Sequence, residues 1–545
     1  MIAAASRGWR PYALLVLLCL GLYLPGLATL PVMDRDEARF AQATRQMLES
    51  GDFLRIRFQD EARNKKPVAI YWLQAASVAA LSDAASTAIW PYRLPSLLGA
   101  VAAALLTFAF GARLVGPPAA LIGAALLAAS LGLTIEAHLA KTDAVLLGAC
   151  VAAQFALAEI YRARGRGGTS RWALVFWTAQ GVAILVKGPV APVLSTLTAL
   201  ALVIADREWR WLAGLRPIWG VPLIVAIVAP WVVAITVATG GAFLGEALGQ
   251  DFFGKLAGAQ ESHGAWPGYY LVLVAITFWP GSLLLGSAAA TAWRARGDDT
   301  TRVLLAWAIP FWLALELVPT KLPNYLLPIF PALALLAGRA ALDLGTTMQS
   351  WPARAAAIVW SVASLVIVAT LTLAPVQLGR GIDAAGIVAG AIILIYGAFM
   401  VRHAWRAPLP GLAVRAVVLA LLVLPVSFAL EAPRLDPLWL SREAARMVAR
   451  AHPPDDVPVA AVGYAEPSLV FLLGTRTLLV SPEIAAERIT ASRGAVALVE
   501  GRADAAFQRA LVARGWQARA VEQVAGLDYS NGKRMVLTLY RGEPG

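Results

Sequence analysis

Along this chain apolar residues come in long, nearly unbroken runs separated by short polar connections. A helix of roughly 17–25 residues crosses the hydrocarbon core of a bilayer. Runs of that kind lie near 11–30, 93–115, 117–136, 142–162, 172–187, 189–206, 216–239, 268–290, 302–319, 323–341, 354–375, 382–402 and 409–430, which predicts about thirteen transmembrane helices. The run 67–82 is short and flanked by polar residues, and is expected to lie in the interface as a juxtamembrane helix. Arg7 and Arg10 precede the first run as in a signal peptide, but the run is long and lacks a small-x-small cleavage site. It reads as an uncleaved first helix.

After residue 430 the pattern changes. Ser441–Ala451 has helical spacing after a Ser cap, 457–463, 476–480 and 495–499 read as strands, and Asn531-Gly532 separates two further strand-like runs as a hairpin turn would. The expected organisation is a transmembrane unit over 1–430, with a large first outer loop over 31–92, and a small α/β domain over 431–545.

Composition agrees with that division. Charged residues are 15% of the chain and hydrophobic ones 59%, whereas a soluble domain carries about 25% charge. The net charge of +12 might point to nucleic acid, but the arginines are scattered through short loops, the pattern of topology signals. With the N-terminus cytoplasmic, Arg113, Arg162, Arg164, Arg207, Arg210, Arg294, Arg302, Arg339, Arg354 and Arg402 all fall on the cytoplasmic side. The C-terminal domain then falls outside, in the periplasm of a bacterial inner membrane. Cys19 and Cys150 both sit in apolar runs, so no disulfide framework is expected.

The same topology gathers the remaining ionisable residues on the outer face. They are Asp34, Asp36, Glu37 and Arg39 in the first loop, Lys65 and Lys66 before Pro67, then His138, Lys141, Asp143, Lys187, His263, Lys321 and Tyr325. Charge at membrane depth costs about 2.5–3.5 kcal/mol on insertion scales, so each such group needs a partner or a task. Each has a bland reading: Asp34 and Asp143 as helix caps, Lys65 and Lys66 as interfacial anchors, His263 as a solvated loop residue. Lys187, in a tight outer connection, breaks the positive-inside pattern, and so does Lys321. Carboxylates beside several fixed cations at a membrane surface suit transfer of a group from a lipid phosphate, because the cations stabilise charge growing on the departing phosphate. A carboxylate opposite can accept a proton from the attacking hydroxyl. The chain has no Walker or dinucleotide glycine pattern.

The run Asp34-Arg35-Asp36-Glu37-Ala38-Arg39-Phe40, Lys66-Pro67 with Tyr71-Trp72, the Asp143 region, Lys187-Gly188, His263 before Tyr269-Tyr270, and Lys321-Leu322-Pro323-Asn324-Tyr325 together resemble bacterial membrane glycosyltransferases of the C-type fold. More closely, they resemble the 4-amino-4-deoxy-L-arabinose lipid A transferase and protein mannosyltransferase-like family. The resemblance implies a sugar transferred from an undecaprenyl-phosphate donor to a periplasmic acceptor, lipid A or another glycolipid. It implies Asp36, with Glu37 beside it, and Asp143 as the catalytic acids, and Arg39, Lys66, Lys187, Lys321 and Tyr325 as the lipid-phosphate site. One departure concerns a divalent metal: the aminoarabinose enzymes carry Glu where this chain has Lys65. His263 thereby loses its expected co-ligand, which argues against a metal and against aminoarabinose as the sugar. Two rival readings follow from the same residues: the same fold acting on a protein or polysaccharide acceptor, and a transporter of lipid-linked sugars. The second fits less well, since transporters place charges near the midplane and repeat their halves.

Overall fold

A computed structural model describes residues 2–164, 167–246, 265–343, 350–404, 409–454, 456–492 and 494–544. Every apolar run carries a helix. Among the described residues eight helices are long and apolar enough to cross a membrane, or ten if each of two bent pairs is one span. The shortfall from thirteen has a local cause in each case. Arg10–Tyr23 has 14 residues and Val190–Asp206 has 17, and Ser170–Lys187 is diluted by Arg171, Thr178, Gln180 and Lys187. Pro117–Ala128 and Leu131–Ala137 meet at 60°, and Tyr269–Thr277 and Gly281–Arg294 at 116°. The interfacial run is the 13-residue helix Ala69–Leu81.

Helices such as Pro217–Ala238 turn large apolar side chains outward, Ile218, Val221, Val225, Val233 and Val237 among them. That is untenable in water and ordinary in lipid, so the chain is a multi-pass membrane protein. Inside the bundle, association rests on close packing. A Cβ at Gly338 would stand 2.2 Å from the Ala119 carbonyl oxygen, and one at Gly123 2.8 Å from that of Ala334. The helices Pro117–Ala128 and Phe330–Leu342 therefore touch backbone to backbone.

The two ends of the bundle differ in chemistry. One end is laced by arginine pairs: Arg113–Glu159, Arg164–Asp299, Arg302–Asp206 and Arg339–Asp298. The other end carries the first loop and the C-terminal sheet. In the first loop, helix Asp36–Ser50 ends at Gly51 in the left-handed conformation, and a small hairpin, β1 (Arg57–Phe58) and β2 (Glu61–Ala62), follows.

Past residue 440 the strands are β3 (Ala460–Val462), β4 (Leu478–Leu479), β5 (Val496–Glu500), β6 (Trp516–Asp528) and β7 (Lys533–Pro544), in the order β4-β3-β5-β7-β6. β3 is parallel to β4 and β5, and β7 is antiparallel to β5 and β6. The Asn531-Gly532 turn joins β6 to β7, with Gly532 at φ 73°. Ser441 departs from expectation: the helix starts at Leu440, and the Ser441 hydroxyl is hydrogen-bonded to the Tyr464 phenol at 2.8 Å instead of capping.

Candidate functional site

At the end of the bundle that faces the sheet lies a cavity of about 420 Å³, walled by the first loop, the start of helix Asp143–Arg162, the end of helix Ser170–Lys187 and the turn 320–325. Asp36, Glu37, Arg39, Lys66, Asp143, Lys187 and Tyr325 all line it, and so do Arg35, Arg63, Lys65, Lys141, Glu246 and Asn324.

The first loop reaches the cavity through a forced turn. Arg35 sits at φ 62°, ψ −98°, a region a residue with a Cβ seldom enters, and helix Asp36–Ser50 begins directly after it. The next residue holds the turn on the membrane side. Glu37 is 1% exposed and Arg93 0%, and they form a two-pronged pair at 2.8 Å on each prong. Arg93 spends its other hydrogens on the carbonyls of Leu27, Leu30 and Pro31. Glu37 also accepts the backbone N–H groups of Met33 and Ala140, each at 2.8 Å. Both Glu37 oxygens are thus engaged twice, a structural occupation that departs from the catalytic role expected of it.

Asp36 is different. Burial would push its carboxyl up, but Lys141, Arg63, Lys66 and Lys187 outweigh burial and hold it below the ordinary carboxylate range. Asp143 stands in an ion pair with Lys187, Nζ to Oδ1 2.5 Å, and the same oxygen accepts from the Asn324 amide at 2.8 Å. Lys187 lies 5.5 Å from the centre of the Tyr325 ring. Lys141 pairs with Glu136 at 3.2 Å.

Lys321 does not join this set. Its ammonium donates to the carbonyls of Leu315, Glu316 and Val318 at 3.1, 2.8 and 2.9 Å, capping the end of helix Asp299–Leu317. The lysine is absorbed by the helix terminus it follows, as cations at that end of a dipole commonly are. His263 lies outside the described residues. Among those described, no three His, Cys, Asp or Glu side chains converge as a metal site requires, and the position next to Lys66 carries a cation, Lys65.

Sequence reasoning passed over Arg63, Glu246, Asn324 and Arg93. Arg63 follows the small hairpin, with its guanidinium 5.3 Å from the Phe40 ring centre, and Glu246 accepts from the Asn64 amide at 3.3 Å. Nothing in the pattern around either residue marks it. Asn324 lies within the Lys321-Leu322-Pro323-Asn324-Tyr325 motif, where no local feature sets it apart. Arg93 was readable in principle, as a cation at the outer end of a span where positive charge is out of place.

A helical membrane bundle with a charged cavity at the end that bears a small mixed sheet is a fold already known from solved membrane proteins. Over 96% of this chain and 97% of the other, it superposes on the crystal structure of ArnT from Cupriavidus metallidurans bound to undecaprenyl phosphate, with a TM-score of 0.77 at 20% identity. The oligosaccharyltransferase of Archaeoglobus fulgidus in its apo form gives a TM-score of 0.52 at 11% identity, over 90% of this chain and 69% of that one.

By sequence, residues 11–241 match the family described as dolichyl-phosphate-mannose-protein mannosyltransferase. The undecaprenyl phosphate-alpha-4-amino-4-deoxy-L-arabinose arabinosyl transferase of Pseudomonas aeruginosa strain LESB58 is 30% identical over 332 residues, 60% of this chain and 59% of that protein. Its counterpart in Edwardsiella ictaluri is 29% identical over 336 residues, 60% of this chain and 58% of that protein. The chain spans about three fifths of the length of these curated relatives. The resemblance to the aminoarabinose lipid A transferase and protein mannosyltransferase-like family, read above from short motifs, is borne out.

Proposed function

We propose that this chain is an inner-membrane glycosyltransferase that takes a sugar from an undecaprenyl-phosphate donor and passes it to a periplasmic acceptor, lipid A or another glycolipid. The observation that carries the reading is one ionised carboxylate, Asp36, set among Lys66, Lys141, Arg63 and Lys187 in a cavity at the bundle's sheet-bearing end. The arginine pairs at the opposite end support a cytoplasmic assignment for that end and a periplasmic one for the cavity. The relatives, undecaprenyl phosphate-alpha-4-amino-4-deoxy-L-arabinose arabinosyl transferases, support the donor.

In the reaction the bond from the anomeric carbon to the phosphate oxygen breaks and its electron pair leaves with the phosphate. Arg39, Lys66 and Lys187 stabilise the charge that gathers there. The acceptor hydroxyl oxygen forms the new bond to the anomeric carbon, and its proton passes to the Asp36 carboxylate. Asp143 keeps Lys187 oriented and Tyr325 supports it from the ring face. Glu37 is a positioning residue in this scheme and Lys321 a helix cap. The route uses this chain's own residues, with no step through a metal.

Purified protein supplied with undecaprenyl-phosphate-linked 4-amino-4-deoxy-L-arabinose, the sugar named for the relatives, or with other polyprenyl-phosphate sugars, should glycosylate an acceptor glycolipid. Asp36→Asn should lower transfer by on the order of 10²–10⁴-fold while the protein stays folded. An active Asp36→Asn enzyme would sink the role given to Asp36. Movement of labelled donor across liposomes without any covalent transfer would sink the reaction class.

A further inference from the structure

The C-terminal sheet touches the first loop at the residues that flank Asp36. The Asp34 backbone N–H donates to the Tyr529 phenol oxygen at 2.6 Å, and Asp34 Oδ1 accepts the Ser468 N–H at 3.1 Å. Tyr529 stands in the β6–β7 turn with its ring edge-on to Trp439 at 6.2 Å, and Ser468 is in the helix Pro467–Leu473. One turn further along, Phe471 is fully buried in an apolar cluster with Val32, Ala38, Ala41 and Tyr92, and meets the Tyr92 ring edge-on at 5.4 Å. The Arg45 guanidinium donates to the Phe471 carbonyl at 2.9 Å. Gln42 reaches Thr475 at 2.7 Å, and the Gln59 amide donates to the Thr475 and Thr477 carbonyls at 3.2 and 2.5 Å.

These contacts have a shared geometric effect. Arg35 occupies a backbone region that costs on the order of 1–3 kcal/mol and persists only where its surroundings over-determine it. Glu37, after Arg35, and Arg93 tie the turn to Met33, Pro31, Leu30 and Leu27 before it. Asp34 itself, the residue next to Arg35, is held by groups of the C-terminal domain. The sheet therefore completes the constraint under which Arg35 turns the chain and delivers Asp36 to the cavity.

We infer that the C-terminal domain is a working part of the active centre, and that Asp34, Ser468, Phe471 and Tyr529 are positioning residues that hold the Arg35 turn and thereby aim the Asp36 carboxylate. The inference rests on the transferase reading above. A carboxylate misplaced by about 1 Å costs on the order of 10²-fold in rate, while Lys66 and Lys187, which hold the donor phosphate, stand on segments other than the Arg35 turn and keep their places. The signature is therefore a fall in kcat at constant donor KM.

The test uses the full-length chain in lipid nanodiscs, with undecaprenyl-phosphate sugar and acceptor glycolipid, and rates per folded molecule. Phe471→Ala combined with Asp34→Ala should lower kcat by about 10²-fold and leave the donor KM within twofold. Tyr529→Phe, which keeps the ring and removes one hydrogen-bond acceptor, should lower kcat by about three- to tenfold. Asp34→Asn retains the acceptor for Ser468 and should keep more than half of the wild-type rate near pH 7. Phe471→Leu should recover most of what Phe471→Ala loses. Arg519→Ala, in a surface pair of the same sheet with Glu543, should change nothing. If the double variant does not fold, Tyr529→Phe and Asp34→Ala alone decide. Unchanged kcat, or a raised KM at unchanged kcat, in the double variant or in these two overturns the inference. A wild-type protein that transfers no sugar overturns the transferase reading instead.

Discussion

Asp34 and Asp36 are two residues apart, yet they stand in opposite electrostatic surroundings. Asp36 faces the cavity, where Lys66, Lys141, Arg63 and Lys187 keep it ionised against the pull of burial. Asp34 also borders the cavity, but its carboxylate is engaged by Ser468 at the seam with the C-terminal domain. There burial pushes it up to about 7, the Ser468 hydrogen bonds oppose the rise, and Glu466 and Asp528 add repulsion. One backbone inversion at Arg35 separates the two. What a carboxylate does is set by the wall it is turned toward, and a single φ angle chooses the wall.

The comparison can be broken most forcefully at the anchor both acids share. Arg93→Ala strands the Glu37 carboxylate in the interior, and removing one partner of a buried pair costs about 3–5 kcal/mol. Thermal unfolding in detergent should show the loss, and transfer should fall with it. An unchanged melting temperature would mean that the Arg35 turn stands without this support.

A second test separates the acids by pH. The folded pKa of Asp34 lies above its ordinary value of 3.8, so the docked seam binds a proton that an undocked chain would release. Docking is then fully favoured below about pH 4 and weakens as pH rises toward 7. Asp36 runs the other way: its folded pKa is depressed, so its contribution is present above about pH 4 and lost as pH falls through the folded value. Exchange of the seam amides, corrected for intrinsic rate, should quicken between pH 5 and 8, and Asp34→Asn should flatten the profile. Glu466, Asp528, Tyr464 and Tyr529 face Asp34, while Arg35 and Arg39 act on Glu466 and Glu37 on Tyr529. A slope that survives Asp34→Asn would assign the titration to Glu466, which burial also raises.

The smallest effect concerns the floor. Lys321→Met removes a helix cap, and should cost about 1–2 kcal/mol of stability with transfer per folded molecule within twofold. A large fall in rate at unchanged stability would return Lys321 to the phosphate site.

Periodicity and sidedness made much of this legible. Long apolar runs identify helices because lipid forbids unpaired backbone, and most of the ions left at one end of those helices line the cavity, with Lys321 and His138 as exceptions. The strands of the tail and the turn at Asn531-Gly532 were readable from alternation and turn chemistry. Partnership was not. Nothing local distinguishes Lys187, which meets Asp143 on the neighbouring helix, from Lys321, which caps the helix just before it. Glu37 and Asp36 are adjacent in sequence and point to different places, so their division of labour depends on Arg93, 56 positions away. The bends at 60° and 116° are likewise invisible to hydropathy, which averages across the break.

The backbone contact between the helices bearing Gly123 and Gly338 carries a mechanical consequence. Two helices already touching along their main chains have no slack in which to slide or part, and the second of them continues directly from the turn that holds Asn324 and Tyr325. That side of the cavity behaves as an anvil. Any change in the cavity's width then falls to its other wall, the first loop, which is tied by the Glu37–Arg93 pair and by its contacts with the C-terminal domain.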